Sequence, residues 1–138
     1  MRAPRNEPMK KILIMDDEPQ ILFMLSRALR KYDAEILTAV KIEDAEYAIK
    51  STPIDVVISD IRLTGVLGRE GLELLPYIRE TSPNTSVIIM TGYGSPDIEK
   101  EAYEKGANSY YEKPIDLEQL LARIESFGIV RRDDGGRI

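Results

Sequence analysis

Three short apolar runs punctuate the chain: Ile12 to Met15, Ile54 to Ile58 (interrupted once, by Asp55) and Val87 to Met90. Short aliphatic runs of this kind suit strands covered by helices on both faces, the arrangement of a parallel sheet. Between them the spacing changes to a helical period. After Pro19, residues Ile21, Leu22, Leu25, Ala28, Leu29 and Tyr32 fall on one face. Proline suits the first helical position because its missing N–H would be unpaired there in any case. Ala34–Val40 reads as a strand, and Glu43–Ser51 as a helix with Ala45, Ala48 and Ile49 inward, broken by Pro53. Leu72–Glu80 is helical, and Pro83 with Asn84 marks a turn. Ser95 and Pro96 open a helix that runs to about Lys105, with Gly106 where a left-handed C-cap belongs. Ser109–Glu112 is a fifth strand. Asp116 caps a last helix whose inner face is Leu117, Leu120, Leu121, Ile124 and Phe127.

The order is five strand–helix units. Right-handed crossovers then place helices on both faces of one parallel sheet, which predicts a doubly wound α/β domain with strand order 2-1-3-4-5. Residues 1–9 hold two prolines and little apolar content and are expected to form a flexible arm. The domain is expected over 10–128. Residues 129–138 are expected to be a flexible tail, fraying from Arg131 onward, where the chain is charged and glycine-rich.

The length of 138 residues fits one domain with an ordinary core. The chain has no cysteine, which excludes disulfides, thiolate metal sites and cysteine nucleophiles. It has no histidine either, which removes Ser-His-Asp triads and histidine general bases. A net charge of −5 argues against direct nucleic-acid binding through the phosphate backbone. No apolar run approaches the roughly 18 residues of a membrane span, so the expectation is a cytoplasmic, soluble protein with no membrane partner. Chemistry must come from carboxylates, lysines, hydroxyls and backbone.

In such a sheet, ligands bind beyond the carboxyl ends of the strands, where the strand order reverses. Strand 1 delivers Asp16 and Asp17 to that edge, strand 3 Asp60, strand 4 Thr91 and strand 5 Lys113. Three carboxylates about 5 Å apart repel by about 3 kcal/mol per pair at an effective dielectric of about 20. Lys113 offsets one charge. The remainder calls for a hard divalent cation, and a few carboxylates with retained water suit Mg²⁺. A cation on one side with Lys113 and Thr91 opposite makes a place for a phosphoryl group, and Asp60 is the nucleophile that would form an acyl phosphate. Taken singly, each residue has a plain structural explanation. Asp16, Asp17 and Glu18, for instance, could be first-turn helix acids.

The set in this order resembles the receiver domain of two-component response regulators, over residues 10–127. The motifs are Ile-Leu-Ile-Met-Asp16-Asp17-Glu-Pro, Val-Val-Ile-Ser-Asp60, Val-Ile-Ile-Met-Thr91-Gly and Tyr110-Tyr-Glu-Lys113-Pro114. The resemblance is to stand-alone, chemotaxis-regulator-like receivers of flavodoxin-like fold. It implies that Asp60 is the phosphoacceptor, that Asp16, Asp17, Asp60 and the Arg62 backbone carbonyl hold Mg²⁺, and that Thr91 and Lys113 hold the phosphoryl group. It further implies a cis Lys113–Pro114 bond and a switch pair of Thr91 and Tyr110. In that switch, Thr91 moves inward and the Tyr110 ring turns from solvent toward the core. The implied partners are a sensor histidine kinase or histidine phosphotransfer protein as donor, and a downstream target or dimer partner on the 96–127 face. Slow self-dephosphorylation would make the domain a switch that catalyses its own modification. The competing reading is a phosphorylation-independent, receiver-like interaction module; the intact Asp, Thr and Lys positions argue against it. Two departures stand out. Thr64 occupies a position where the family usually has proline, and Gly71 lies eleven residues after Asp60 where about eight is usual, which lengthens the 61–70 loop.

Overall fold

A computed structural model describes residues 9–61 and 70–132. The arm 1–8, the stretch 62–69 with Arg62 and Thr64, and residues 133–138 lie outside the described residues, and so do the expectations placed on them.

The strands are β1 (Lys10–Met15), β2 (Ala34–Ala39), β3 (Val56–Asp60), β4 (Ser86–Thr91) and β5 (Ser109–Glu112). The helices are α1 (Pro19–Ala28), α2 (Ile42–Ser51), α3 (Glu70–Thr81), α4 (Pro96–Glu104) and α5 (Leu117–Ser126). All pairings within the sheet are parallel and the order is β2-β1-β3-β4-β5, as expected. The register sets Met15 beside Ser59 and Asp60 beside Met90, so the ends of the central strands line up along one edge.

Alternation along the strands divides the core in two. Leu13, Met15, Val57, Val87 and Ile89 face Ala45 and Ile49 of α2, Leu72, Leu75 and Ile78 of α3, and Ala102 of α4. Ile12, Ile14, Val56, Ile58, Ile88 and Met90 face Leu25 of α1 and Leu120 and Ile124 of α5. Each Val, Leu, Ile or Met side chain among these contributes about 1.5–3 kcal/mol by leaving water. That anchors the strand ends, and the polar residues that follow them are held by a rigid sheet.

Helix ends follow the expected chemistry. Ser95 Oγ accepts the Ile98 N–H at 3.2 Å, and Asp116 Oδ1 accepts the Gln119 N–H at 3.2 Å. Gly106 has φ of +113° after α4, where a side chain would be strained and a Cβ would fall 2.8 Å from the Arg79 side chain.

Three sequence expectations are corrected. β3 begins at Val56 rather than Ile54, because the Asp55 carboxylate turns back to accept the Lys11 N–H at 2.9 Å. α1 tightens at Leu29–Lys31 into a 3₁₀ turn, so the buried Tyr32 lies past the helix rather than on its face. The described part of the expected tail, 129–132, is pinned. Ile129 is buried, Arg131 pairs antiparallel with Tyr32, the Asp33 N–H donates to Val130 O at 2.8 Å, and the Arg132 N–H donates to Lys31 O at 2.7 Å. Burial of the apolar Ile129 and the backbone bonds to Lys31 and Asp33 hold this segment despite the charge of its arginines. No helix among the described residues is long and apolar enough to cross a membrane.

Candidate functional site

Asp16 and Asp17 leave the end of β1, and Asp60 is the last residue of β3. One carboxylate oxygen from each lies within 4.8 Å of the others. Asp16 is buried and its oxygens are engaged: Oδ1 accepts the Glu18 N–H at 2.8 Å and Oδ2 accepts Lys113 Nζ at 3.1 Å. Asp60 is 7 % exposed, and its Oδ1 lies 3.6 Å from Lys113 Nζ. Asp17, Glu18, Asp60, Ile61, Gly92, Tyr93 and Lys113 line a crevice at this edge.

The electrostatics follow from crowding. Burial, then the Asp16 charge, pushes the Asp60 carboxyl up to about 7 against the pull of Lys113. Burial likewise raises Asp16 above the usual carboxylate range, with the Glu18 N–H and Lys113 opposing it. Burial alone would lower the Lys113 ammonium, but its hydrogen bonds to Glu18 and Asp16 outweigh that and hold it above the ordinary lysine value. One ammonium therefore faces more carboxylate than it can neutralise. An all-oxygen donor set with excess negative charge fits a hard divalent cation such as Mg²⁺.

Thr91 ends β4 beside this crevice and is fully buried. Its Oγ1 accepts the Tyr93 N–H at 3.0 Å and lies 3.4 Å from Ile61 O. The Lys113–Pro114 bond is cis. Tyr110 lies one strand over on β5, is 8 % exposed, and belongs to the same core cluster as Val87, Ile89 and Ala102. Its hydroxyl occupies the hollow left by Gly94, where a Cβ would fall 2.0 Å from it. Burial, and then the Glu112 carboxylate, raises its phenol pKa. Tyr111 faces the opposite core.

The structure thus brings together Asp16, Asp17, Asp60 and Lys113, with Thr91 at the adjacent strand end and Tyr110 behind it. Arg62 lies outside the described residues. Sequence reasoning missed Glu18, whose Oε1 makes the shortest ion pair of Lys113, at 2.8 Å. The signal was present, since Glu18 continues the acidic run after β1, but there it reads equally well as a helix-start acid.

Comparison with known proteins agrees with this geometry. Residues 12–125 match the response regulator receiver domain family. The response regulator protein PilR of Pseudomonas aeruginosa is 34% identical over 111 residues, covering 80% of this chain and 24% of that protein. Sporulation initiation phosphotransferase F of Bacillus subtilis is 29% identical over 119 residues, covering 86% of this chain and 93% of that protein. The solution structure of a beryllofluoride-activated NtrC4 receiver domain dimer superposes with a TM-score of 0.77 at 34% identity, covering 86% of this chain and 96% of that one. The chain spans about a quarter of the length of the PilR and NtrC regulators it matches. With the match running from β1 through α5, this chain belongs to the response regulator receiver domains of two-component systems.

Proposed function

We propose that this receiver domain is a phosphoacceptor switch in which Asp60 takes a phosphoryl group from a phosphohistidine on a sensor kinase or histidine phosphotransfer protein. An Asp60 oxygen forms the new O–P bond, the P–N bond to the donor imidazole breaks, and the ring nitrogen keeps the bonding pair. The observation that carries this reading is the position of Asp60. It is a buried carboxylate lining the crevice, with Lys113 Nζ 3.6 Å away and two further acids within 4.8 Å.

Asp16, Asp17, Asp60 and the Arg62 carbonyl would hold Mg²⁺. When bound, the cation neutralises phosphoryl oxygens and the crowded carboxylates. Lys113 gives an ammonium to a phosphoryl oxygen, and Thr91 Oγ1 gives a hydroxyl donor from the next strand. Both stabilise charge on the transferring group from fixed positions. The same groups hold the acyl phosphate until water hydrolyses it slowly. Thr91, reaching for the new oxygens, would exchange its contact with Ile61 O for one with phosphate, and this loosens the packing around Gly94 and Tyr110. Because the Tyr110 ring is buried in the state described, the switch lies in how firmly that position is held. The readout face is then α4, β5 and α5, across 96–127, where a dimer partner or downstream target would bind. The activated NtrC4 receiver solved as a dimer supports this kind of output. The reading places the protein in the cytoplasm with no direct nucleic-acid contact through this domain.

The test is intact-mass measurement after incubation with acetyl phosphate. One phosphoryl mass should appear with Mg²⁺, and it should be absent with chelator and in Asp60→Asn. An adduct that persists in that variant overturns the assignment.

A further inference from the structure

We infer that Glu18 is a positioning residue that holds the place of the incoming phosphoryl oxygen on Lys113 and restrains phosphorylation until it is displaced. This rests on the reading of Asp60 as phosphoacceptor and extends it to a residue outside the acceptor, cation and phosphoryl-holding set.

A lysine ammonium has three N–H donors and no more. Three carboxylates converge on Lys113 Nζ: Glu18 Oε1 at 2.8 Å, Asp16 Oδ2 at 3.1 Å and Asp60 Oδ1 at 3.6 Å. Glu18 and Asp16 take two of its donors by hydrogen bonds, while Asp60 at 3.6 Å is an ion-pair contact too long for one, so Lys113 closes on a phosphoryl oxygen at Asp60 only by slackening one of its present holds. The three are not equally free to leave. The Asp16 side chain is wholly buried and that of Asp60 is 9 % exposed, so releasing either strands a charge away from water. The Glu18 side chain is half exposed, and released it is solvated at once. Glu18 is the acceptor that yields.

Its hold works through geometry. Glu18 is the N-cap position of α1, but its side chain makes no cap bond and turns instead to Lys113. The lysine reaches Glu18 0.8 Å more closely than it reaches Asp60 (3.6 less 2.8), so its resting position is drawn off the acceptor. Glu18 also lines the crevice that a donor must enter. Replacing it with glutamine keeps the size and removes the charge, leaving a weaker acceptor that a phosphoryl oxygen displaces easily.

The experiment follows the rate of adduct formation by intact mass across a range of acetyl phosphate concentrations with Mg²⁺. In the step followed, Asp60 displaces acetate from the donor phosphorus. Glu18→Gln should raise the second-order rate constant about two- to fivefold, the range an ion pair with one exposed partner supports. Mere removal of a repulsive charge would give a gain that salt abolishes. Release of a direct contact gives a variant-to-wild-type ratio that persists near 1 M salt, where the screening length is about 3 Å. Glu18→Gln should also tighten beryllofluoride binding by a similar factor. An unchanged or slower rate in Glu18→Gln, or a gain that vanishes in salt, overturns the inference while the Asp60 reading stands. Absence of any adduct in the wild type is instead the failure of that reading.

Discussion

The two edges of the sheet treat their polar side chains in opposite ways. At the amino edge, charges are satisfied. Arg79, from α3, spends all five guanidinium donors. Nε and Nη2 reach Gly106 O at 3.0 and 2.7 Å, Nη1 reaches Pro83 O at 2.9 Å and Thr85 O at 2.7 Å, and Nη2 also reaches Asn108 Oδ1 at 2.8 Å. Arg123, from α5, donates to Ser109 Oγ and to Asn108 O while stacking on Phe127. The Tyr32 hydroxyl donates to Glu125, and the 129–132 segment pairs over it. At the carboxyl edge, the carboxylates of Asp16, Glu18 and Asp60 share Lys113, and Asp60 is pushed up to about 7. One edge is built to stay as it is. The other holds unresolved charge that a cation and a phosphoryl group can settle.

If the amino edge is for stability alone, damage there should weaken the fold and leave phosphorylation untouched. Ile129→Ala should cost about 2–4 kcal/mol by denaturant unfolding, as for other buried large-to-small changes. Full stability in that variant would return residues 129–132 to a loose tail. Arg79→Ala should cost about 2–3 kcal/mol for its charge-assisted bonds, with the adduct rate of the surviving folded protein unchanged.

The carboxyl edge should behave the other way. A carboxyl whose folded-state pKa is raised binds its proton more tightly when folded, so ionising it destabilises the fold. For Asp60 the window runs from its ordinary 3.8 to about 7, with a linkage limit of about 4 kcal/mol. Under chelator, wild-type stability should fall as pH rises through that window. Asp60→Asn should flatten the fall and be the more stable protein by about 1–2 kcal/mol at pH 8. If Asp60→Asn is less stable there, the site is not under charge strain. Mg²⁺ at about ten times its dissociation constant should add about 1.4 kcal/mol to the wild type, and Asp17→Ala should remove that gain.

The two edges also differ in how well sequence reveals them. The carboxyl edge was legible because Asp16 and Thr91 directly follow apolar runs and Asp60 comes one residue after another. Val87 to Met90 points to Thr91 as directly as Ile12 to Met15 points to Asp16, and the sheet order then decides which of them meet. The amino edge was not. Arg79 sits beside Glu80 in what looks like a solvated helix face. The pairing of Tyr32 with Arg131 joins residues far apart in the chain and leaves no local period. Glu18 failed for a third reason: its chemistry is set by where Lys113 reaches across from β5, which neighbouring residues do not encode. Tyr110 could be assigned to a strand and a face, but its inward position depends on the missing Cβ of Gly94, sixteen residues earlier.

Of the clustered carboxylates, Asp60 alone should receive the phosphoryl group. Reductive trapping tests it most directly: borohydride converts an acyl phosphate to an alcohol, and peptide sequencing by mass spectrometry then finds the modified position. After acetyl phosphate and Mg²⁺, the modification should map to Asp60 alone, with Asp16 and Asp17 unmodified. Modification at Asp16 or Asp17, or a phosphoryl mass gain with no trapped alcohol at position 60, would rule out Asp60 as the sole phosphoacceptor.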